Sequence, residues 1–287
     1  MPRSAPRPPD TPVPFDPDPA LFRDLPDRPG VYRFHGEAGE LLYVGKSVRI
    51  RERVRSHWAA RYRDHREYRL CWLTRHITFT RTAGELGALL RENEEIKSAL
   101  PVFNRKQRRP RHLYTWFLHA APNGVIEPVL SHPLGAQPHW PETGFGLYSS
   151  PARARNHLAH LASEHRLCRK VLGLEHGQGP CFARQLHRCR GACCGQESMA
   201  EHHRRLEAVL HSERIRAWPL DGPMVIADPD EHTPGCDYHL VDQWRYLGTA
   251  STPSEARALI DDPANTAFDL DAYRILLPRV IAETGFA

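Results

Sequence analysis

Tyr32 and Tyr43 stand in two short runs, Gly30-Val31-Tyr32 and Tyr43-Val44-Gly45-Lys46-Ser47, and Arg49 and Arg53 follow within a few residues. Hydrolysis of a phosphodiester needs an attacking water, a group to take its proton, positive charge for the transition state and help for the leaving oxygen. Phenols, Lys46 and Arg53 cover proton transfer and charge, but they do not hold a metal. Tyrosines are also common core residues of strands, so two of them alone do not make a site. Glu92 is the candidate metal ligand. It lies beside the stripe of Leu86, Leu89, Leu90, Asn93, Ile96 and Leu100, and a carboxylate turned inward is costly unless paired or metal-bound. An ordinary surface pairing one helical turn away is the bland alternative. His57 is either a second acid–base group or a plain helix cap.

The elements that must carry these residues can be read from periodicity. Gly30–Tyr32 and Leu42–Gly45 flank a polar stretch with Gly36 and Gly39, the pattern of a β-hairpin. Val48, Ile50, Val54 and Trp58 form a loose helical stripe, and Arg49 and Arg53 share one side of it. Tyr68–Thr80 reads as extended, with Ile77–Thr80 the clearest strand. Ala83–Leu100 is the best helix, ended by Pro101. The order ββαβα predicts an α+β domain with a small antiparallel sheet flanked by helices, over residues 21–108. Residues 1–20 are rich in proline without hydrophobic periodicity and read as a disordered lead-in. Asn104–Arg111 is a basic linker. Beyond it, hairpins are expected around Pro122-Asn123-Gly124 and from Pro223–Ala227 to Asp237–Gly248. Further helices are expected over Pro151–Arg166, Ser198–Leu210, Pro253–Ile260 and Asp269–Ile281. Residues 109–287 are thus expected to form a mixed α/β C-terminal domain.

Five of the seven cysteines lie between Cys168 and Cys194, and Cys168, Cys181, Cys189 and Cys193 follow a C-x12-C-x7-C-x3-C spacing. In a cytosolic chain such clustering points to a metal site rather than disulfides. Four thiolates suit Zn²⁺ or an iron–sulfur cluster, and spacing alone does not choose. Cys71 and Cys236 read as ordinary core residues.

Taken together, these residues resemble the GIY-YIG nuclease family of the UvrC/Cho type. Gly30-Val31-Tyr32 stands at the first signature and Tyr43-Val44-Gly45 at the second. Arg53, ten residues past Tyr43, Glu92, and Asn104, twelve residues past Glu92, match the family's arginine, glutamate and asparagine. The resemblance spans about residues 22–108 and implies a catalytic set of Tyr32, Tyr43, Lys46, Arg53, His57, Glu92 and Asn104. Glu92 would hold one Mg²⁺ or Mn²⁺, Arg53 would stabilise the phosphate, and either tyrosine would act on the attacking water. His57 departs from the tyrosine common at its position in UvrC, and Arg91 from the usual apolar residue. The region around Cys181–Cys193 resembles the UvrC cysteine segment, which implies a [4Fe-4S] cluster first and Zn²⁺ second. Residues 220–287 resemble the tails of Cho-like and polymerase-associated members.

The partner implied is DNA, with UvrB, and UvrA upstream, supplying damage recognition. Arg49, Arg105, Lys106, Arg108, Arg188 and Arg190 are the expected phosphate contacts. A net charge of +5, from 39 Lys+Arg against 34 Asp+Glu, is only mildly basic, so the distribution matters more than the total. No run approaches the roughly 20 apolar residues of a membrane span, and the N-terminus lacks a secretory core, so a cytoplasmic protein is expected. The reaction implied is a single incision on the 3′ side of a lesion in nucleotide excision repair. The alternatives are a DNA-binding module with a degenerate nuclease domain, or a nuclease acting on branched or other DNA structures.

Overall fold

The computed structural model describes residues 13–104, 113–120, 126–131, 144–261 and 268–285. It divides into two compact units, residues 1–109 with 220–287, and residues 110–219.

In the first unit, β1 (Gly30–His35) pairs antiparallel with β2 (Leu41–Ser47) on one side and β3 (His76–Arg81) on the other. The central strand is the most buried, and Val31, Tyr32 and Phe34 have no exposed surface. Against the sheet pack α1 (Ile50–Ala60), α2 (His65–Leu73) and α3 (Glu85–Ala99). The core joins Tyr32, Phe34, Leu42, Ile50, Val54, Trp58, Leu70 and Ile77. The expected hairpin and two helices are present, with β1 running three residues past its predicted end at Tyr32. Tyr68–Leu73 is helical, not extended. Tyr68, Leu70 and Trp72 mimic strand alternation, but the Asp64 side chain caps the N–H of Arg66 at 2.7 Å, and Tyr68 and Cys71, one turn apart, are both buried. Leu100, expected on the apolar face of α3, instead ends that helix in the left-handed region and is exposed.

The second unit is built on β4 (Tyr114–Ala120), β5 (Ile126–Ser131) and β6 (Gly144–Tyr148), ordered β5-β4-β6. The turn expected at Pro122-Asn123-Gly124 lies outside the described residues. The helices are α4 (Pro151–Glu164), the single turn α5 (Phe182–Gln185) and α6 (Met199–His211). Ser150 and Ser198 cap α4 and α6, and Trp116, Phe145, Leu158, Leu206 and Leu210 fill the core.

The remaining elements, β7 (Met224–Pro229), β8 (Cys236–Asp242), β9 (Arg245–Ala250), α7 (Pro253–Ala258) and α8 (Leu270–Thr284), belong to the first unit. This departs from the expected 109–287 domain, and polar contacts account for it. Gly84, at the N-terminus of α3, has no side chain with which to cap that helix. Asp228 accepts from the N–H of Gly87 and Asp237 from that of Ala83, each at 2.8 Å. Further along α3, Asn93 and the buried Lys97 reach Asp269. The expected strand Asp237–Gly248 is two strands, because Gln243 and Trp244 both adopt left-handed backbone and turn the chain.

Candidate active site

The register of the hairpin places Tyr32 opposite Gly45 and Phe34 opposite Tyr43, so the two tyrosines are diagonal neighbours on one face, with ring centroids 6.1 Å apart. Gly45 is required there. A Cβ at that position would lie 2.5 Å from the Tyr32 hydroxyl and 2.8 Å from the Tyr43 ring. β2 is an edge strand, and Asn104 pairs with it as another strand would. Its Oδ1 accepts from the Val44 N–H at 2.9 Å and its Nδ2 donates to the Val44 carbonyl at 2.8 Å. Buried Asn104 thus fixes the residue between Tyr43 and Gly45.

Behind the tyrosines runs a chain of hydrogen bonds. The Tyr32 hydroxyl is 2.8 Å from His57 Nε2, and His57 Nδ1 is 2.6 Å from Glu67 Oε2. An ionised carboxylate only accepts, so the proton of neutral His57 sits on Nδ1, Nε2 is the acceptor, and Tyr32 donates to it. With its proton given to His57, the Tyr32 oxygen can still accept, and Tyr43 is its neighbour on the same face of the sheet. Burial tends to raise the Glu67 carboxyl, but the hydrogen bond from His57, with the nearby Arg66, brings it below the ordinary range. Glu67 was not among the residues expected from sequence. The signal that would have found it is the helical spacing of α2, which was masked by its aromatic alternation.

Glu92 enters from α3. Its Oε1 accepts from the Lys46 N–H at 3.1 Å, and Oε2 has no hydrogen bond among the described residues. Burial pushes its carboxyl above the usual range, against the pull of the Lys46 N–H and ammonium and of Arg53. A half-buried carboxylate in that condition is short of positive charge, which fits a divalent cation. Burial also raises both phenols, Tyr32 the further; Tyr43 adds to the rise of Tyr32, and Glu92 to that of Tyr43. The exposed Arg53 guanidinium acts on Tyr32, Tyr43 and Glu92 alike, lowering each.

Other expected residues sit at the margin. The Lys46 ammonium pairs with Glu85 at 2.6 Å, and Arg49 pairs with Glu52 at 2.5 Å on the surface. Arg66, which was not anticipated, lies over the Tyr43 ring with its carbon 5.8 Å from the centroid and donates to the Phe103 carbonyl. Arg105, Lys106 and Arg108 lie outside the described residues.

In the second unit the sulfurs of Cys168, Cys181 and Cys193 lie within 4.8 Å of one another. Cys189 joins the same buried cluster and interacts with the Cys181 thiol, which burial pushes up. Such crowding of buried thiols fits a soft metal or a cluster that would hold them as thiolates. Arg188 and Arg190 are exposed beside it.

Comparison with known proteins finds three family models along the chain. Residues 28–105 match the UvrC-like GIY-YIG domain, residues 128–212 the UvrC/Cho excinuclease middle domain, and residues 223–285 the excinuclease Cho C-terminal domain. Excinuclease cho of Escherichia coli K12 is 40% identical over 261 residues, 90% of this chain and 84% of that protein. UvrABC system protein C of Neisseria gonorrhoeae is 31% identical over 182 residues, 63% of this chain and 28% of that protein. The magnesium-bound GIY-YIG endonuclease domain of UvrC from Thermotoga maritima is 26% identical, covering 30% of this chain and 92% of that domain, with a TM-score of 0.28. The chain belongs to the UvrC/Cho excinuclease family, with a GIY-YIG endonuclease domain at its N-terminal end.

Proposed function

We propose that this chain is a divalent-metal-dependent endonuclease that cuts one DNA phosphodiester on the 3′ side of a lesion in nucleotide excision repair. It acts in the cytoplasm on DNA prepared by UvrA and UvrB. The observation that carries the reading is the grouping of Glu92, Arg53 and the two tyrosines, with the His57–Glu67 pair behind them.

Tyr43, half-buried and within the field of Glu92, is the phenol that meets the attacking water; Tyr32, fully buried, is not. Tyr43 takes a proton from the water as it passes its own to the Tyr32 oxygen. Tyr32 in turn passes its proton to His57 Nε2. The imidazolium that forms faces the Glu67 carboxylate, which stabilises it. Two raised phenols would be poor bases alone, and this chain gives the proton a place to go. Arg53 holds the scissile phosphate and offsets its developing charge. Glu92 would hold the Mg²⁺ or Mn²⁺, which when bound would supply Lewis-acid stabilisation of the phosphate. Lys46 contributes through its backbone N–H, which orients Glu92, and Asn104 through its hold on β2.

Cys168, Cys181, Cys189 and Cys193 hold a [4Fe-4S] cluster in this reading, with Zn²⁺ as the second candidate. Broad visible absorption in anaerobically purified protein selects iron–sulfur, and a colourless protein containing zinc selects the other. The function is tested by nicking of lesion-bearing duplex with and without UvrA, UvrB and Mg²⁺. A single 3′ nick that needs all three supports the reading, and DNA binding without nicking in their presence overturns it.

A further inference from the structure

Each of three cluster cysteines is followed or preceded in sequence by a residue that lines one cavity. Arg169 follows Cys168, Phe182 follows Cys181, and Arg188 precedes Cys189. The sulfurs turn inward, so the same backbone that gathers them presents these neighbours to an open pocket of about 800 Å³, within the size range of small-ligand sites.

Its composition is unusual for a solvent-filled hollow. Phe182 is 63% exposed and Leu186 48%, large apolar side chains left to water at the edge of a buried core. Arg166, Arg169 and Arg188 surround them against a single carboxylate, Glu175. That carboxylate accepts from the Phe182 N–H at 2.8 Å and so fixes the aromatic wall. Arg166 acts as a strut, donating to the His187 carbonyl at 2.6 Å. Arg166 and His187 both hold left-handed backbone, with φ of 55° and 56°, a conformation that non-glycine residues adopt rarely and that the surroundings here enforce. The guanidinium groups of Arg169 and Arg188 have no carboxylate partner among the described residues.

An exposed aromatic ring beside uncommitted arginines is the combination that binds single-stranded nucleic acid: the ring takes a base face and the cations take the flanking phosphates. A paired duplex keeps its base faces stacked and cannot use the ring. We infer that this pocket binds an unpaired nucleotide of the DNA substrate, with the base on Phe182 and the adjacent phosphates on Arg169 and Arg188. The inference rests on the endonuclease reading only for the identity of the substrate as DNA.

The test uses the full chain carrying Glu92→Gln, so that binding is read without incision. The probes are a fully paired duplex and the same duplex with a short unpaired bubble containing 2-aminopurine. Phe182→Ala lowers affinity for the bubble by roughly 5- to 150-fold, the range for loss of one base–aromatic stack, and leaves the paired duplex within twofold. Phe182→Tyr restores bubble binding and the 2-aminopurine fluorescence change. Arg169→Ala and Arg188→Ala each reduce the salt dependence of bubble binding by about one phosphate contact. Unchanged bubble affinity in Phe182→Ala, or equal losses on paired and bubbled DNA, overturns the inference. Incision by Phe182→Ala with native Glu92, measured separately, reports on the nuclease site: bubble preference unaffected by the substitution while incision persists overturns the pocket alone.

Discussion

Gly45→Ala places one methyl group where the structure has least room for it. The added Cβ would stand 2.5 Å from the Tyr32 hydroxyl and 2.6 Å from Cζ. Reaching the 3.4 Å of ordinary contact needs a shift of about 0.9 Å. Tyr32 is fully buried among Phe34, Tyr43 and His57, so its ring cannot swing aside freely. Its 2.8 Å bond to His57 does not survive a displacement of that size. Misplacement of a proton-transfer group by about 1 Å costs about 10²-fold in rate, and overpacking of this kind costs about 1–3 kcal/mol of stability. The assay is single-turnover nicking of lesion-bearing DNA at saturating Mg²⁺, with thermal unfolding alongside. Gly39→Ala is the control: its φ is +80° with open space around it, so backbone strain costs about 1–2 kcal/mol while the rate holds. Nicking by Gly45→Ala within twofold of the parent, or equal rate losses in both variants, would refute the proton route through Tyr32.

Three further outcomes follow from the same structure. Asn104→Ala leaves the buried Val44 N–H and carbonyl unpaired and lowers stability by about 2–4 kcal/mol in denaturant unfolding. Asp228 is buried, which alone would raise its carboxyl, but the His239 and Gly87 hydrogen bonds hold it below the ordinary value. The folded state therefore binds this proton less tightly than the unfolded chain. Its contribution is full above the ordinary carboxylate range and is lost as pH falls through the depressed value, so Asp228→Asn flattens the loss of melting temperature below about pH 4. Glu92 has the opposite sign: its folded value is raised, so its charge destabilises the metal-free fold at neutral pH. Glu92→Gln accordingly raises the melting temperature of chelator-treated protein and abolishes the upward shift produced by Mn²⁺.

Much of the site was legible because its residues announce themselves through type and spacing. The hairpin tyrosines and the inward carboxylate of Glu92 lie on elements with a clear pattern, and Arg53 follows the second tyrosine at a fixed spacing on a looser helical stripe. Glu67 was not legible, because α2 carries three aromatic or aliphatic residues at alternate positions and so imitates a strand. The attachment of residues 220–287 to the nuclease unit was hidden for another reason. It is made by carboxylates that cap a helix far away in sequence, and a cap lent by another segment leaves no local signature. The turn at Gln243-Trp244 was missed because neither residue is among those that usually mark left-handed backbone. The four cysteines were readable as a set, but the pocket formed by their sequence neighbours appears only when the backbone brings Cys168, Cys181 and Cys189 together.

Of all the residues of the site, Glu92 is the one on which a metal-dependent cut depends most. The direct measurement is incision of lesion-bearing duplex by Glu92→Gln, with UvrA and UvrB present and Mg²⁺ raised to saturation, beside its affinity for the same DNA. The expected result is DNA binding within a few-fold of the parent and a loss of incision of at least about 10³-fold, on the order of the transition-state stabilisation a catalytic metal supplies. Incision at the parental rate would contradict it.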